Sequence, residues 1–365
     1  MEVAQLGLQD FRNYREARLE LSSGLNLVIG RNAQGKTNLL EAVYCLSGLG
    51  SPRSADSALV RQGAERALLH GTVVKGSRRV EIDLELRPGR GTKALVNKTR
   101  VSGIKGLSEL CVSVFFGPDE LSLVKGSPDG RRRFLDDLVV KVRPAQEAVR
   151  REWERVLRQR NALLKSLGRG VRPGPNDTLE VWDEAFCRAG AALGAARLSA
   201  LARLRPYAAK RYADIAGRGA LGLSYVSTWI PEEYRESVVA GAEDPGEADL
   251  VRFLRARLDE VRPGELERRV SLAGPGRDDI LVSLGNGDDG SMLEARSFAS
   301  QGDQRTAALA LKLGEHDLLS DVLGEEPILL LDDVFSELDP SRRGWLKEAV
   351  AGVGQTLLSS ADSGP

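Results

Sequence analysis

The chain has 365 residues, a length that predicts two domains or one domain with a large insertion. Of these residues 42% are hydrophobic and 28% charged, a composition that excludes a disordered chain and predicts a soluble, globular protein. No apolar run reaches the roughly 18 residues of a membrane span, and the N-terminus lacks a signal-peptide pattern, so we expect a cytoplasmic protein with no membrane partner. Lys and Arg total 52 and Asp and Glu total 52, so no net field draws the whole molecule to nucleic acid.

The first third of the chain predicts strands around a phosphate-binding loop. Continuous or alternating apolar residues predict strands at 25–29, 67–74, 78–86 and 112–116. Residues 30–37 match GxxxxGK[ST], and the apolar residues of 37–46 have helical spacing, so the loop joins a strand to a helix. We predict that ATP is bound by Gly30, Arg31, Asn32, Ala33, Gln34, Gly35, Lys36, Thr37 and Asn38.

The chemistry of this loop explains its residue types. Glycines allow consecutive backbone N–H groups to face the phosphates, and the helix N-terminus adds partial positive charge. Lys36 is expected to contact the β- and γ-phosphates, and the hydroxyl of Thr37 to ligate Mg²⁺. The two histidines and the scattered cysteines, in contrast, suit no metal centre of their own.

The middle of the chain changes to a helical pattern between about 131 and 210. Two apolar stripes, separated by the breaker-rich turn 168–176, predict an antiparallel helical hairpin too short to be a long coiled coil. Residues 131–172 hold 13 Lys and Arg against 5 Asp and Glu, whereas 232–249 hold 7 acidic residues against one Arg.

The basic segment is one candidate surface for DNA, held mainly through its phosphate backbone. The candidate arginines are Arg131, Arg132, Arg133, Arg150 and Arg151, with Arg155, Arg158 and Arg160 further along the hairpin. A solvated helical face with internal Glu–Arg pairs explains the same pattern equally well. Aromatic residues are not interleaved with these arginines, which disfavours stacking on single strands.

The last part of the chain predicts an acidic strand end that complements the loop. A strand at 280–284 and a helix at about 304–319 precede the apolar strand 327–331, which ends at Asp332 and Asp333; a final strand covers 356–360. Asp332 is the expected Mg²⁺-side ligand and Asp333 the expected catalytic residue that, with Lys36, promotes hydrolysis. A solvated pair of aspartates at a strand end is the structural alternative.

Two segments near this strand resemble ABC-type ATPases. The signature of that superfamily has the form S-x-G-x-Q, which Ser300, Gln301, Gly302, Asp303 and Gln304 match. The resemblance implies that this segment binds the γ-phosphate of a nucleotide held by a second subunit. Ser300 taken alone reads as a helix N-cap. Residues 336–339 resemble the D-loop, with Ser336 and Asp339 as its candidate interface residues.

Together these segments resemble the RecF family of DNA-repair ATPases along almost the whole chain. The resemblance rests on residues 8–14, 30–38, 116–121, 125–128 with 131–136, 300–305 and 331–339 in this order. It implies an α/β fold: an ABC-type P-loop ATPase head like those of Rad50 and SMC proteins, with mixed sheets around the P-loop helix and a helical second lobe lacking a long coiled coil. In Rad50-like heads the positions of Arg12 and Asn13 approach the phosphates, although a turn between strands explains both equally.

The same resemblance implies a function in recombinational repair and replication restart. ATP binding would drive formation of a homodimer on duplex or gapped DNA, and slow, DNA-dependent hydrolysis would release it. RecR, together with RecO, would be the partners in loading RecA downstream. We assign 1–120 and 305–365 to the ATPase lobe and 121–304 to the helical lobe, which would end in the signature motif.

Three departures from the wider superfamily qualify this assignment. Asp333 stands where transporter ATPases have Glu, so we expect slow turnover. The last strand is followed by no histidine, so Ser359 or Ser360 would have to sense the γ-phosphate. No glutamine directly follows the strand 112–116. The acidic strand near the end of the chain and the segment 300–305 disfavour a small-molecule kinase. The missing histidine and the helical hairpin disfavour a transporter ATPase. The absence of the NKxD motif, which reads guanine, disfavours a GTPase.

Overall fold

The computed structural model describes residues 1–54, 56–101, 105–167, 179–285 and 291–361, without the side chains of Asp56, Lys105, Ser336 and Glu337. Within these ranges the chain divides into two compact units. Unit 1 contains 1–124, 207–219 and 300–365, and unit 2 contains 125–206 and 220–299. No helix in the described part of the chain is both long enough and apolar enough to cross a membrane.

The strands are β1 (Glu2–Phe11), β2 (Tyr14–Glu20), β3 (Leu25–Ile29), β4 (Ala67–Lys75), β5 (Arg78–Arg87), β6 (Gly91–Val96), β7 (Thr99–Val101), β8 (Ser113–Phe116), β9 (Ala220–Val226), β10 (Asp279–Gly285), β11 (Met292–Glu294), β12 (Ile328–Asp332) and β13 (Thr356–Ser360). The helices are α1 (Lys36–Cys45), α2 (Lys105–Ser108), α3 (Ser122–Lys125), α4 (Pro128–Val142), α5 (Glu147–Leu167), α6 (Leu179–Ala216), α7 (Glu232–Val239), α8 (Glu247–Arg268), α9 (Ala295–Phe298), α10 (Gln301–Leu323) and α11 (Pro340–Ala351).

Unit 1 is built on two sheets. The antiparallel sheet has the order β2-β1-β4-β5-β6-β7, and the parallel sheet has the order β3-β13-β12-β8. Every residue of β12 is buried, because this strand lies between two neighbours in the parallel sheet. Its apolar sequence therefore follows from its central position, as the continuous run of leucines predicted.

The first helix packs closely against the antiparallel sheet at its C-terminal end. A Cβ atom on Gly71 of β4 would lie only 2.4 Å from Cδ1 of Leu46, so only glycine leaves room for this leucine. A similar close approach joins α6 to α10, where a Cβ on Gly314 would lie 2.7 Å from the backbone nitrogen of Ala208. Residues 207–219 therefore pack as part of unit 1.

Unit 2 combines the antiparallel sheet β11-β10-β9 with helices that include α5 and the first part of α6. The rings of Trp153 on α5 and Phe186 on α6 lie 4.8 Å apart, which supports the predicted helical hairpin. Its turn, 168–176, lies outside the described residues. In the described part of the chain the longest helix is α6, with 38 residues, so a long coiled-coil arm is not present there.

A fully buried arginine holds the helices of unit 2 together. Arg160 of α5 donates from Nε to Asp183 Oδ1 at 2.8 Å, and from Nη1 and Nη2 to the carboxylate of Glu265 at 3.0 and 2.5 Å. None of these three side chains is more than 2% exposed. A buried charge persists only when it is paired and hydrogen-bonded, so this arginine is structural.

The predicted lobe boundaries differ from the observed ones. Residues 207–219 were assigned to the helical lobe but belong to unit 1. The signature segment 300–304, predicted to end the helical lobe, also belongs to unit 1, because α10 packs against β8 of the parallel sheet. Periodicity marks helices but does not say which core a helix packs into.

Removal of the buried guanidinium should destabilise the protein strongly. Arg160→Met leaves the carboxylate of Glu265 buried without its cation, while Asp183 keeps Arg262 as a partner, so we expect a loss of about 3–5 kcal/mol in the free energy of unfolding. Urea denaturation followed by circular dichroism measures this loss. Arg155→Met is the matched control, because Arg155 lies on the same helix but is half exposed and should change stability little. Equal stability of the two variants would contradict the assignment.

Candidate nucleotide-binding site

The loop 30–37 connects β3 to α1, as predicted. Gly35 has φ +105°, in the left-handed region that favours glycine, and α1 begins at the next residue. Lys36 Nζ donates to the carbonyl oxygens of Gly30 at 2.6 Å and Arg31 at 3.1 Å. The lysine therefore closes the loop on itself, and its ammonium lies where the loop would surround a phosphate.

Two side chains, one from the β1–β2 turn and one from the start of β2, lie against this loop. Asn13 Nδ2 donates to the carbonyl of Gln34 at 3.0 Å, and Asn38 Nδ2 donates to Asn13 Oδ1 at 2.8 Å. The hydroxyl of Tyr14 donates to the carbonyl of Gly35 at 3.1 Å, and partial burial raises the pKa of this tyrosine. Asn13 and Tyr14 thus support the loop from outside.

Arg12 makes its hydrogen bonds with α1 and with the segment that follows this helix. Its guanidinium donates from Nε and Nη2 to the fully buried carboxylate of Glu41 at 2.8 and 2.7 Å. Further bonds go to Ser54 Oγ at 2.6 Å and to the carbonyl of Ala58 at 2.9 Å. The buried carboxylate requires this cation, and the assignment of Arg12 to ATP stays a prediction.

The two predicted Mg²⁺ ligands meet, although they are 295 residues apart. Thr37 Oγ1 donates to Asp332 Oδ1 at 2.9 Å, at the C-terminal end of β12. A hydroxyl and a carboxylate are oxygen ligands of the kind that Mg²⁺ prefers, and that ion normally completes its shell with phosphate oxygens and water. Among the described residues no cluster of three His, Cys, Asp or Glu that could hold a metal ion is found.

Ser359 forms hydrogen bonds with both aspartates at the end of β12. Its hydroxyl donates to Asp332 Oδ1 at 2.6 Å and accepts from the backbone nitrogen of Asp333 at 3.0 Å. Only 1% of this residue is exposed, so it does not face a phosphate and the expectation that it senses one is wrong. Ser360, the other candidate sensor, stays a prediction. Ser359 instead orients both aspartates, a role that needs the register between β12 and β13.

Asp333 lies where the chain leaves the sheet. Its φ of +49° places it in the left-handed region, which is uncommon for aspartate and lets the chain turn sharply after β12. A cavity of about 200 Å³ borders both aspartates, Arg305 of α10, and apolar residues that include Phe116 and Pro118. In the sequence Arg305 belongs to the segment 300–305, and its position beside the aspartates depends on the tertiary fold.

The signature and D-loop segments are both helix starts. Ser300 is the N-cap of α10, and its Oγ accepts from the backbone nitrogen of Asp303 at 3.2 Å, so the capping alternative is confirmed. Asp339 caps α11 and accepts from the nitrogen of Arg342 at 3.1 Å, and that N–H bond, followed by the charge of Arg342, lowers the pKa of Asp339. Gln304 is buried, and the side chain of Ser336 lies outside the described part of the structure.

The candidate DNA-binding arginines fall into two groups. Arg131 is buried and donates from Nε and Nη2 to the carboxylate of Asp279, both at 2.7 Å, so it is corrected to a structural residue together with Arg160. Arg132 and Arg150 are mostly covered by their partners in unit 2. The side chains that are about half exposed or more are Arg133, Arg151, Arg155 and Arg158.

Comparison with known proteins gives consistent matches over the whole chain. Residues 2–360 match the family model described as the RecF/RecN/SMC N terminal domain. DNA replication and repair protein RecF of Acidothermus cellulolyticus is 43% identical over 368 residues, covering 100% of this chain and 95% of the relative. The protein of the same name from Nocardioides sp. is 42% identical over 403 residues, covering 99% and 94%.

Solved structures agree with these matches. The recombination mediator protein RecF-ATP in the RecFOR pathway superposes with a TM-score of 0.87 at 28% identity, covering 99% of this chain and 92% of that one. The RecF-ATPrS structure gives 0.86, with 100% and 93% covered. An SMC head bound to the C-terminal winged-helix domain of ScpA, 14% identical with a TM-score of 0.51, shares the fold and covers 99% of this chain and 90% of its own.

The geometry of the loop predicts a sharp effect of one methyl group. In Gly35→Ala the new Cβ would lie 2.6 Å from the amide of Asn13. The alanine backbone would also have to adopt a φ of +105°. Strain of this kind costs about 1–3 kcal/mol, so we expect affinity for a fluorescent ATP analogue to fall about tenfold or more, measured by anisotropy. Gly24→Ala is the control, because nothing lies within 4 Å of its Cβ position. Undiminished binding by Gly35→Ala would contradict this geometry.

Proposed function

This chain belongs to the RecF family of DNA replication and repair proteins, and from that premise we propose that it binds ATP at 30–38 and uses the nucleotide to control its association with DNA. The contact between Thr37 Oγ1 and Asp332 Oδ1, at 2.9 Å, is the observation that carries the proposal. It joins the phosphate loop to the acidic strand end, the two parts that hold a nucleotide and its metal in P-loop ATPases. The relatives described as RecF-ATP and RecF-ATPrS support ATP as the ligand.

Hydrolysis in this proposal is slow and acts as a release step. Mg²⁺, held by Thr37 and Asp332, would neutralise charge on the phosphates when bound. Lys36 would exchange its carbonyl partners for phosphate oxygens, and Asp333 would orient and accept a proton from the attacking water. The side chain of Asp333 is shorter than that of a glutamate, which is consistent with slow turnover.

The nucleotide is proposed to complete an interface between two copies. The cap at Ser300 and the open backbone at Gly302 form a helix start that favours an anion. In a homodimer this helix start would meet the γ-phosphate held by the other copy, with the D-loop residues Ser336 and Asp339 beside it. ATP would then be required for association, whereas ADP would not suffice.

The biological setting follows from the family and is likewise a proposal. Relatives are described as recombination mediators of the RecFOR pathway, which supports RecR and RecO as partners. Gapped or duplex DNA would be held through its backbone by the exposed arginines of unit 2, and RecA loading would follow downstream.

The dimer is tested by light scattering with ATP, with ADP and without nucleotide. Wild type should double its mass with ATP alone. Ser300→Arg should stay monomeric while still binding ATP, because the bulky cation blocks the helix start but leaves the loop 30–37 intact. Lys36→Met should lose nucleotide binding and dimerisation together. A wild type that remains monomeric in every condition would refute the proposal.

DNA binding is tested by its dependence on salt. Each phosphate contact contributes about 0.9 to the slope of log K against log salt for duplex DNA. Arg151→Ala combined with Arg158→Ala should reduce the slope by about two if both arginines contact phosphates. Arg252→Ala, whose side chain is 72% exposed on α8, is the control and should leave the slope unchanged. Binding of duplex DNA that is independent of salt would contradict backbone recognition.

A further inference from the structure

One arginine connects the two helix starts of the proposed interface. Arg342, in the first turn of α11, reaches Asp303 Oδ1 from Nη2 at 3.3 Å and Asp339 Oδ2 from Nη1 at 3.2 Å. Asp303 lies in the first turn of α10, and Asp339 caps α11. A single guanidinium thus bridges the signature segment and the D-loop within unit 1.

The carboxylate of Asp303 conflicts with the anion that this helix start is proposed to bind. Ser300 Oγ donates its proton to Asp303 Oδ2 at 2.7 Å, so the carboxylate holds the proton that a phosphate oxygen would need. The formal negative charge of Asp303 also opposes an incoming phosphate, and it outweighs the partial positive charge of a helix N-terminus. Without a compensating cation, the segment would repel a nucleotide.

Arg342 lies where it can remove that conflict. A Cβ atom on Gly302 would lie 3.0 Å from Nη1 of Arg342, so the guanidinium covers the glycine at the point where the backbone is most open. About a quarter of the arginine side chain remains exposed. The charge of Arg342 therefore acts both on the two aspartates and on the exposed side of the start of α10.

We propose that Arg342 is a positioning residue that neutralises Asp303 and fixes it to the D-loop, so that the start of α10 can take the γ-phosphate of a nucleotide held by a second copy of this chain. The inference rests on the proposed function, because it concerns the same nucleotide-dependent dimer. It adds a residue from outside the signature segment, and it links the signature segment to the D-loop through one side chain.

An ordinary surface ion pair is the alternative, and such pairs contribute little to stability. The two explanations differ in what a second substitution does. If Arg342 acts by neutralising Asp303, removal of the carboxylate should make the arginine dispensable. If Arg342 only supports the local fold, loss of Asp303 should add to the damage or leave it unchanged.

The experiment measures the protein concentration at half-maximal dimerisation in ATP for wild type, Arg342→Ala, Asp303→Asn and the double variant, by light scattering. Arg342→Ala should raise that concentration by roughly tenfold, the size expected when one charge beside an exposed anion site is left unbalanced. Asp303→Asn alone should dimerise at least as tightly as wild type, and the double variant should return to within about twofold of it.

Three controls make the outcome decisive. Lys347→Ala removes an exposed cation from the same helix and should dimerise as wild type does. Arg342→Lys keeps the charge without the planar guanidinium and should retain most of the association, whereas Arg342→Gln removes the charge and replaces Arg342→Ala if that variant does not fold. Binding of ATP by the monomer should be equal in all variants, since the loop 30–37 is untouched.

The results separate this inference from the proposal beneath it. Unchanged dimerisation by Arg342→Ala, or failure of Asp303→Asn to rescue it, overturns the role of Arg342 while the dimer itself stands. A wild type that stays monomeric in ATP overturns the dimer and this inference with it.

Discussion

The hydrogen bond between Thr37 and Asp332 is the contact on which the arrangement of unit 1 depends. It requires β12 to lie next to β13, which pairs in turn with β3, the strand that leads into the phosphate loop. The C-terminal strands must therefore return beside the N-terminal one. Since almost the whole chain separates the two residues, most of it leaves this core and comes back, and unit 2 is formed from segments inserted along that route.

Charged side chains serve two purposes in this protein, and burial distinguishes them. Arg12 and Arg131 each bind one carboxylate through two guanidinium nitrogens, and Arg160 binds two carboxylates. Each of these partners lies in the same unit as its arginine. Such pairs hold distant segments in one arrangement, because breaking them would leave a charge in a nonpolar interior. Of the candidate arginines that the structure describes, Arg133, Arg151, Arg155 and Arg158 stay exposed, so the local excess of positive charge overstates the exposed basic surface.

Polar side chains at the ends of strands and helices hold the residues of the proposed site in place. Ser359 orients Asp332 and Asp333 from the neighbouring strand, Ser300 and Asp339 cap the helices that flank the proposed interface, and Arg342 joins those caps. Because each of these contacts is a hydrogen bond of defined direction, small shifts between strands or helices would change which proton is offered to a phosphate. In the proposed dimer, a nucleotide that enters such a site would therefore be coupled to association between copies.

The sequence alone determined the parts of this protein that depend on local order. The phosphate loop, the apolar strands, the helical hairpin and the Ser300 cap all follow from residue spacing, since backbone conformation responds to neighbours only a few residues away. It also carried enough ordered motifs to identify the family, which the comparisons confirm.

The tertiary structure decided which charges are free and which elements share a core. Pattern could not show that Arg12 and Arg131 are occupied by Glu41 and Asp279, because those partners are 29 and 148 residues away. Nor could it show that 207–219 and 300–304 join unit 1, or that Arg342 meets Asp303. Pairing over such distances is set by packing of the whole fold, which no local period in the sequence encodes.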